Sequence, residues 1–318
     1  MTETLRRPTE VPAPDNRSDV EFDSDGVTLR GWYYRASTSG SAPTIVMCHG
    51  FAAVKEMYLD KYAEVFSANG LNVLVYDNRN LGASDGTPRG EINPWQQIDD
   101  FRNAITFAET LEGTDPDRIG IWGSSYSGAH VLVVAAQDRR VKCVSSQVPV
   151  VDGDANFRQL VRADFIDGAR GGFNEDRRAR FRGEDPVMVE VVNKDPMAPS
   201  ALPTPDSYEW FIGTQHLRAP GFVNQTTLRS VERFSEYQPG AFIRLISPTP
   251  LLVCVAANDV LTPTKITIDG FHEAREPKKL VVLPGGHFDA YVDGFEESSS
   301  IQLAWFTEHL LTKTTTGA

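Results

Sequence analysis

Cysteine is scarce. The 318 residues hold three, Cys48, Cys143 and Cys254, each inside an apolar, strand-like run. An odd count at wide spacing excludes a disulfide framework and fits reduced, buried thiols in a cytoplasmic protein. No CxxC, HExxH or EF-hand pattern occurs, so a structural or catalytic metal has weak support. Positive charge is also in deficit. Lys and Arg number 31 against 43 Asp and Glu, a formal net charge of −12, which disfavours a nucleic-acid partner. No apolar run approaches the ~18–20 residues of a membrane helix, and the N-terminus has no apolar stretch of signal-peptide type. A membrane partner is therefore not expected, and homo-oligomerisation is left open. What the chain does have is 41% hydrophobic and 10% aromatic residues, enough for one large core.

Residues 1–17 are polar and carry Pro8, Pro12 and Pro14, which predicts a loose tail. Short apolar runs then alternate with helical spacing. Strands are expected at Val20–Phe22, Val27–Arg35, Pro43–Cys48, Leu71–Tyr76, Arg118–Trp122 and Val141–Ser146. Helices are expected at Glu56–Asn69, Pro94–Leu111 and Ala129–Ala136. This alternation predicts an α/β fold, a mostly parallel sheet covered by helices on both faces. It lapses over 151–244, where charge, Pro and Gly dominate, and resumes with Pro250–Ala256, a helix near Lys265–Arg275, Lys279–Leu283 and a helix over Gly294–Leu311. The expected organisation is a core of 18–150 and 245–313 with an inserted, mostly helical cap at 151–244.

The chemistry concentrates at the ends of the runs. Gly123-Ser124-Ser125-Tyr126-Ser127-Gly128 follows a strand and opens a helix, as in a nucleophile elbow, with small residues two before and two after Ser125. Ser127 stands where glycine is commoner and is still small. A serine needs a base and an orienting group, which follow an elbow serine in the order acid, then His. Asp259 comes just after the run ending at Ala256, and His287 sits in a Gly-Gly-His loop after the next. Asp289 is badly placed to reach that ring, and Asp152 or Asp154 is a rarer acid position. The oxyanion donors expected are the backbone N–H groups of Tyr126 and of Phe51, in His49-Gly50-Phe51. His49 is expected to brace that loop, Asp77 and Arg79 to form a structural ion pair, and His130 to be a satisfied core histidine.

These motifs, with Val75-Tyr76-Asp77-Asn78-Arg79-Asn80-Leu81-Gly82-Ala83-Ser84 and Pro284-Gly285-Gly286-His287-Phe288-Asp289, resemble the α/β-hydrolases over nearly the whole chain apart from the tail and much of the cap. The Ser125-Tyr126 pairing resembles the dienelactone-hydrolase and X-Pro-dipeptidyl-peptidase branch, and the flanking segments are similar to fungal polyketide transferases. The resemblance implies the α/β-hydrolase fold, no cofactor, and a small-molecule acyl partner, namely an ester, lactone, thioester or amide. Hydrolysis of a carboxylic ester is the first expectation and acyl transfer to an alcohol the second; a peptidase or a receptor without turnover ranks below both. Cap aromatics at Phe157, Phe165, Phe173, Phe181, Trp210, Phe211 and Phe222 suggest an apolar pocket for an uncharged acyl group. Phe51, Tyr126, Trp210, Phe211, Val260 and Phe288 are the expected substrate contacts.

Overall fold

The computed structural model describes residues 11–38 and 40–312. The expected tail therefore lies mostly outside the described residues, as does the last residue of the expected core, 313. Arg17 already belongs to strand β1 (Arg17–Ser24). β1 forms a hairpin with β2 (Val27–Tyr34), in full register from Arg17↔Tyr34 to Ser24↔Val27. The two-residue turn has positive φ at both positions, 52° at Asp25 and 82° at Gly26. Such turns match the twist of paired strands and draw on Asp and Gly.

The chain continues through β3 (Ala42–Cys48), α1 (Leu59–Ala68), β4 (Asn72–Tyr76), α2 (Pro94–Thr110), β5 (Thr114–Ser124), α3 (Tyr126–Gln137) and β6 (Val141–Gln147). After the cap it resumes with β9 (Leu251–Ala256), α8 (Thr264–Phe271), β10 (Lys278–Leu283) and α9 (Phe295–Phe306). The eight-stranded sheet has the order β1-β2-β4-β3-β5-β6-β9-β10. Only the β1–β2 and β2–β4 pairings are antiparallel. Every residue of β3, β4 and β9 is buried, which explains their unbroken apolar runs: helices cover both faces and leave no solvent side. α1 packs with α9, and α2 with α3. β10 is an edge strand and carries Lys278 and Lys279, charges that discourage pairing with another chain.

Between β6 and β9 lie α4 (Gly153–Leu160), α5 (Ile166–Phe181), α6 (Pro205–Leu217) and α7 (Leu228–Glu236), with a two-stranded antiparallel pair of β7 (Met188–Val189) and β8 (Thr226–Thr227). Loops over 182–187, 190–204 and 218–225 connect these pieces. Among the described residues no helix is long and apolar enough to cross a membrane.

Two buried ion pairs fasten the loop after β4, and they correct one expectation. Asp77 and Arg79 do not pair with each other. The Arg79 guanidinium makes a two-pronged contact with Asp100 of α2, at 2.6 Å and 2.9 Å, and Ser24 Oγ donates to the same carboxylate at 2.6 Å. Asp77, fully buried, accepts from Lys55 Nζ and Lys55 N–H at 2.7 Å and from Ala83 N–H at 2.9 Å. Burial opposes charge on Lys55, but Asp77 and Glu56 outweigh it and hold the ammonium above its ordinary range. The chain leaves the strand after Tyr76 and turns at Arg79, so Asp77 and Arg79 reach partners on different elements. Removing one member of a buried pair strands the other charge. Asp100→Ala is expected to destabilise the fold by about 3–5 kcal/mol, read as a lower urea midpoint. An unchanged midpoint would show that Arg79 finds water instead.

Candidate active site

β5 ends at Ser124 and α3 begins at Tyr126, so Ser125 alone makes the reversal, with φ 59° and ψ −115°. A side-chain-bearing residue pays about 1–3 kcal/mol for such a conformation. The surroundings enforce it by leaving no alternative room. A Cβ on Gly123 would lie 2.2 Å from the Ser127 carbonyl oxygen, and one on Gly128 2.7 Å from that of Gln147. The Gln147 carbonyl accepts the Ser125 N–H at 2.8 Å. The reversal lifts the Ser125 hydroxyl clear of sheet and helix.

Two loops from the carboxyl ends of β9 and β10 meet it there. His287 Nε2 lies 3.0 Å from Ser125 Oγ, and His287 Nδ1 lies 2.8 Å from Asp259 Oδ2. Facing a carboxylate, Nδ1 carries the proton, which leaves the Nε2 lone pair for the serine hydroxyl. Asp259 is itself fixed: Oδ1 accepts the N–H groups of Leu261 at 2.9 Å and Thr262 at 2.7 Å. Thr262 Oγ1 sits 2.9 Å from Asp259 Oδ2 and 3.1 Å from His287 Nδ1, bracing both groups. The competing acids are occupied elsewhere. Asp289 accepts the Gly286 N–H at 2.6 Å and shapes the His287 loop. Asp152 caps α4 through the Ala155 N–H, and Asp154 pairs with Arg158 and Arg170.

The third part is the turn after β3. Gly50 presses on the elbow: a Cβ there would come within 2.9 Å of Ser125 Cβ. The Gly50 carbonyl is held by His49 Nδ1 at 3.0 Å and by the Ala53 N–H at 3.3 Å. In a trans peptide the N–H points opposite to the C=O, so the Phe51 N–H faces away from both. The Tyr126 N–H heads α3, where an N–H has no intrahelical acceptor. His49 braces the turn as expected. Its Nε2 accepts the Asn78 N–H at 3.1 Å, placing the proton on Nδ1. Burial lowers its pKa despite Asp77 nearby, so the ring is neutral and no ion pair forms. His130 is the expected core histidine, bonded to Gln97 Oε1 at 2.9 Å and to Tyr237 Oη at 3.0 Å, its pKa pushed down to about 3 by burial.

Aromatic rings cover this assembly. Trp210 of α6 stacks on Phe288, centroids 4.7 Å apart, and Phe288 meets the His287 ring edge-on at 4.9 Å. Phe211 contacts Phe288 and Phe222. Val260, next to Asp259, stays 57% exposed. Phe165 and Phe181 depart from the expected pocket, being 49% and 93% exposed, and Phe157 and Phe173 pack on each other. Phe234 of α7, absent from the sequence-based set, joins the rings beside the elbow. It stacks on Tyr126 at 5.5 Å and meets Phe51 edge-on at 5.8 Å. The sequence hid it, since α7 reads as a charged helix, LRSVERFSE.

A buried polar network beneath the elbow was likewise unforeseen. Ser124 Oγ accepts from Tyr291 Oη and from Gln147 Nε2, and Gln147 Oε1 accepts from Ser298 Oγ at 2.9 Å and Gln302 Nε2 at 2.8 Å. Ser298 and Gln302 stand one helical turn apart on α9, a polar stripe that was the available signal. The network satisfies every polar group it buries beside the strained serine, at the level where the His287 loop joins α9.

A sequence profile of the alpha/beta hydrolase fold matches residues 43–294. Over 273 residues the chain is 37% identical to thiohydrolase aneE of Aspergillus aculeatus, covering 83% of each protein. It is 34% identical over 289 residues to the quorum-quenching protein AidA of Acinetobacter baumannii, covering 89% of this chain and 92% of that one. Polyketide transferase grgF of a Penicillium species is 32% identical over 296 residues, covering 92% and 97%. The crystal structure of GrgF superposes with a TM-score of 0.80 at 29% identity over 93% of this chain and 99% of its own. With the profile spanning most of the chain and these relatives aligned almost end to end, the protein belongs to the α/β-hydrolase family.

Proposed function

We propose that the protein is a serine hydrolase that cleaves an ester or thioester of a small, uncharged, moderately hydrophobic acyl group. The observation that carries this is the unbroken chain Ser125 Oγ–His287–Asp259, with links of 3.0 Å and 2.8 Å, at a strained strand-to-helix turn. Ser125 Oγ attacks the acyl carbon while its proton passes to His287 Nε2. Asp259 stabilises the imidazolium that forms and keeps the ring in place. The carbonyl oxygen becomes an oxyanion between the Phe51 and Tyr126 N–H groups. Its collapse expels the alcohol or thiol, which takes the proton from His287, and leaves the acyl group on Ser125. Water then repeats the sequence: His287 accepts its proton, the acid departs, and Ser125 recovers its hydrogen.

The rings around this centre support the reading of an apolar acyl pocket. Phe51, Tyr126 and Phe234 lie on the oxyanion side, and Trp210, Phe211 and Phe288 on the histidine side, so the acyl chain sits against apolar faces. A charged chain would lose hydration there without gaining a partner. Three free, buried thiols fit a cytoplasmic setting.

Acyl transfer to an alcohol is the second reading, favoured by the likeness to polyketide transferase grgF. It uses the same residues and differs only in what reaches the acyl-enzyme. With a short p-nitrophenyl ester and an added alcohol, chromatography is expected to find mainly free acid; new ester as the dominant product would favour the transferase.

Two further outcomes are expected. Ser125→Ala and His287→Ala should each lower kcat by about 10⁴–10⁶ with circular dichroism unchanged, and a Ser125→Ala protein of full activity would refute the assignment. Trp210→Ala should change the butyrate-to-acetate ratio of kcat/KM by about 10-fold or more while acetate turnover stays near that of the parent. Equal loss on both esters would place Trp210 outside the acyl pocket.

A further inference from the structure

The two proposed oxyanion donors come from different turns, one after β3 and one at the head of α3. These strands are sheet neighbours, but their ladder ends at the pair Cys48↔Gly123. Beyond that register Gly50 still packs against Ser125, but no backbone hydrogen bond joins the turn to the elbow, and each carries one donor. A developing oxyanion needs both donors within about 2.7–3.1 Å at once, so something past the end of the sheet must hold the turns together.

The Ser127 side chain supplies a hydrogen bond there. Its Oγ donates to the His49 carbonyl oxygen at 2.6 Å. Both residues are buried, Ser127 fully, so no water replaces the bond. Each end is rigid. The Ser127 backbone lies where a Cβ on Gly123 would strike it, and the His49 ring is held by the Asn78 N–H while itself holding the Gly50 carbonyl. The bond therefore joins Tyr126, one residue before Ser127, to Phe51, two residues after His49. Glycine, the commoner residue at this position of the elbow, would fit but could not make it.

We propose, resting on the serine-hydrolase reading above, that Ser127 is a positioning residue for the oxyanion hole: its hydroxyl extends the β3–β5 ladder by one bond and sets the spacing of the Phe51 and Tyr126 N–H groups. It touches neither substrate nor His287. Its loss should weaken stabilisation of the tetrahedral state and leave the base untouched.

The test compares Ser127→Ala, Ser127→Gly and Ser127→Cys with the parent and with Ser125→Ala, using p-nitrophenyl butyrate and a phenylboronic acid whose tetrahedral adduct places an oxygen in the hole. Losing a whole oxyanion donor costs about 10²–10³ in kcat, and a loosened one should cost less, about 10-fold. Ala and Gly are expected to lose that factor in kcat/KM and a similar factor in boronate affinity, with the acid limb of the pH profile unmoved. Cys, close in volume but a weak donor, should fall between Ala and the parent, and it keeps the test intact if Ala or Gly fails to fold. Parent-like turnover and boronate affinity in folded Ser127→Cys and Ser127→Ala, or a lower melting temperature alone, would overturn the inference. Full activity in Ser125→Ala would instead overturn the serine-hydrolase reading itself.

Discussion

Everything in the site depends on one backbone conformation, the left-handed turn at Ser125. Sheet and helix must reverse within a single residue, and that residue has a side chain. The cost, about 1–3 kcal/mol, is carried by surroundings that admit no relaxed alternative. Gly123 and Gly128 bring backbones within what would be a clash for any other residue, and Gly50 lies against the serine from the β3 side. The Ser125 N–H is tied to Gln147, whose side chain joins Ser124, Ser298 and Gln302 in a fully buried network. The strain is what presents the hydroxyl to His287.

The electrostatic arrangement follows from burial. His49 and His130 lie in the interior and are kept neutral by desolvation. Each is fixed in one tautomer by a donor on one side and an acceptor on the other, so both serve as hydrogen-bonding struts. Asp77 and Arg79 of the β4–α2 loop are each buried in a pair, with Lys55 and with Asp100. Lys55 lies four residues after Phe51, so its pairing with Asp77 also anchors the far side of the turn after β3.

The sequence made the local features legible. Unbroken apolar runs marked the buried parallel strands, small residues marked the elbow, and Asp259 and His287 could be placed because each follows its own strand. What it concealed was choice of partner. Asp77 and Arg79 were close enough in sequence to suggest a pair, yet each is satisfied by a residue more than 20 positions away on another element. Phe234 was obscured by the charges of α7, whereas Phe165 and Phe181, equally aromatic, stand on the surface. Ser127 was legible as a small residue, but its bond to His49 needs two strands side by side, and Thr262 became visible only once the loops of Asp259 and His287 converged. Three-dimensional neighbours of this kind leave no periodicity to read.

The claim that Ser125 is the nucleophile is tested most directly by labelling the folded protein with a fluorophosphonate and mapping the adduct by peptide mass spectrometry. The account predicts a single adduct on Ser125, lost when His287 is replaced by alanine. An adduct on Ser124 or Ser127, or none on the folded protein, would contradict it.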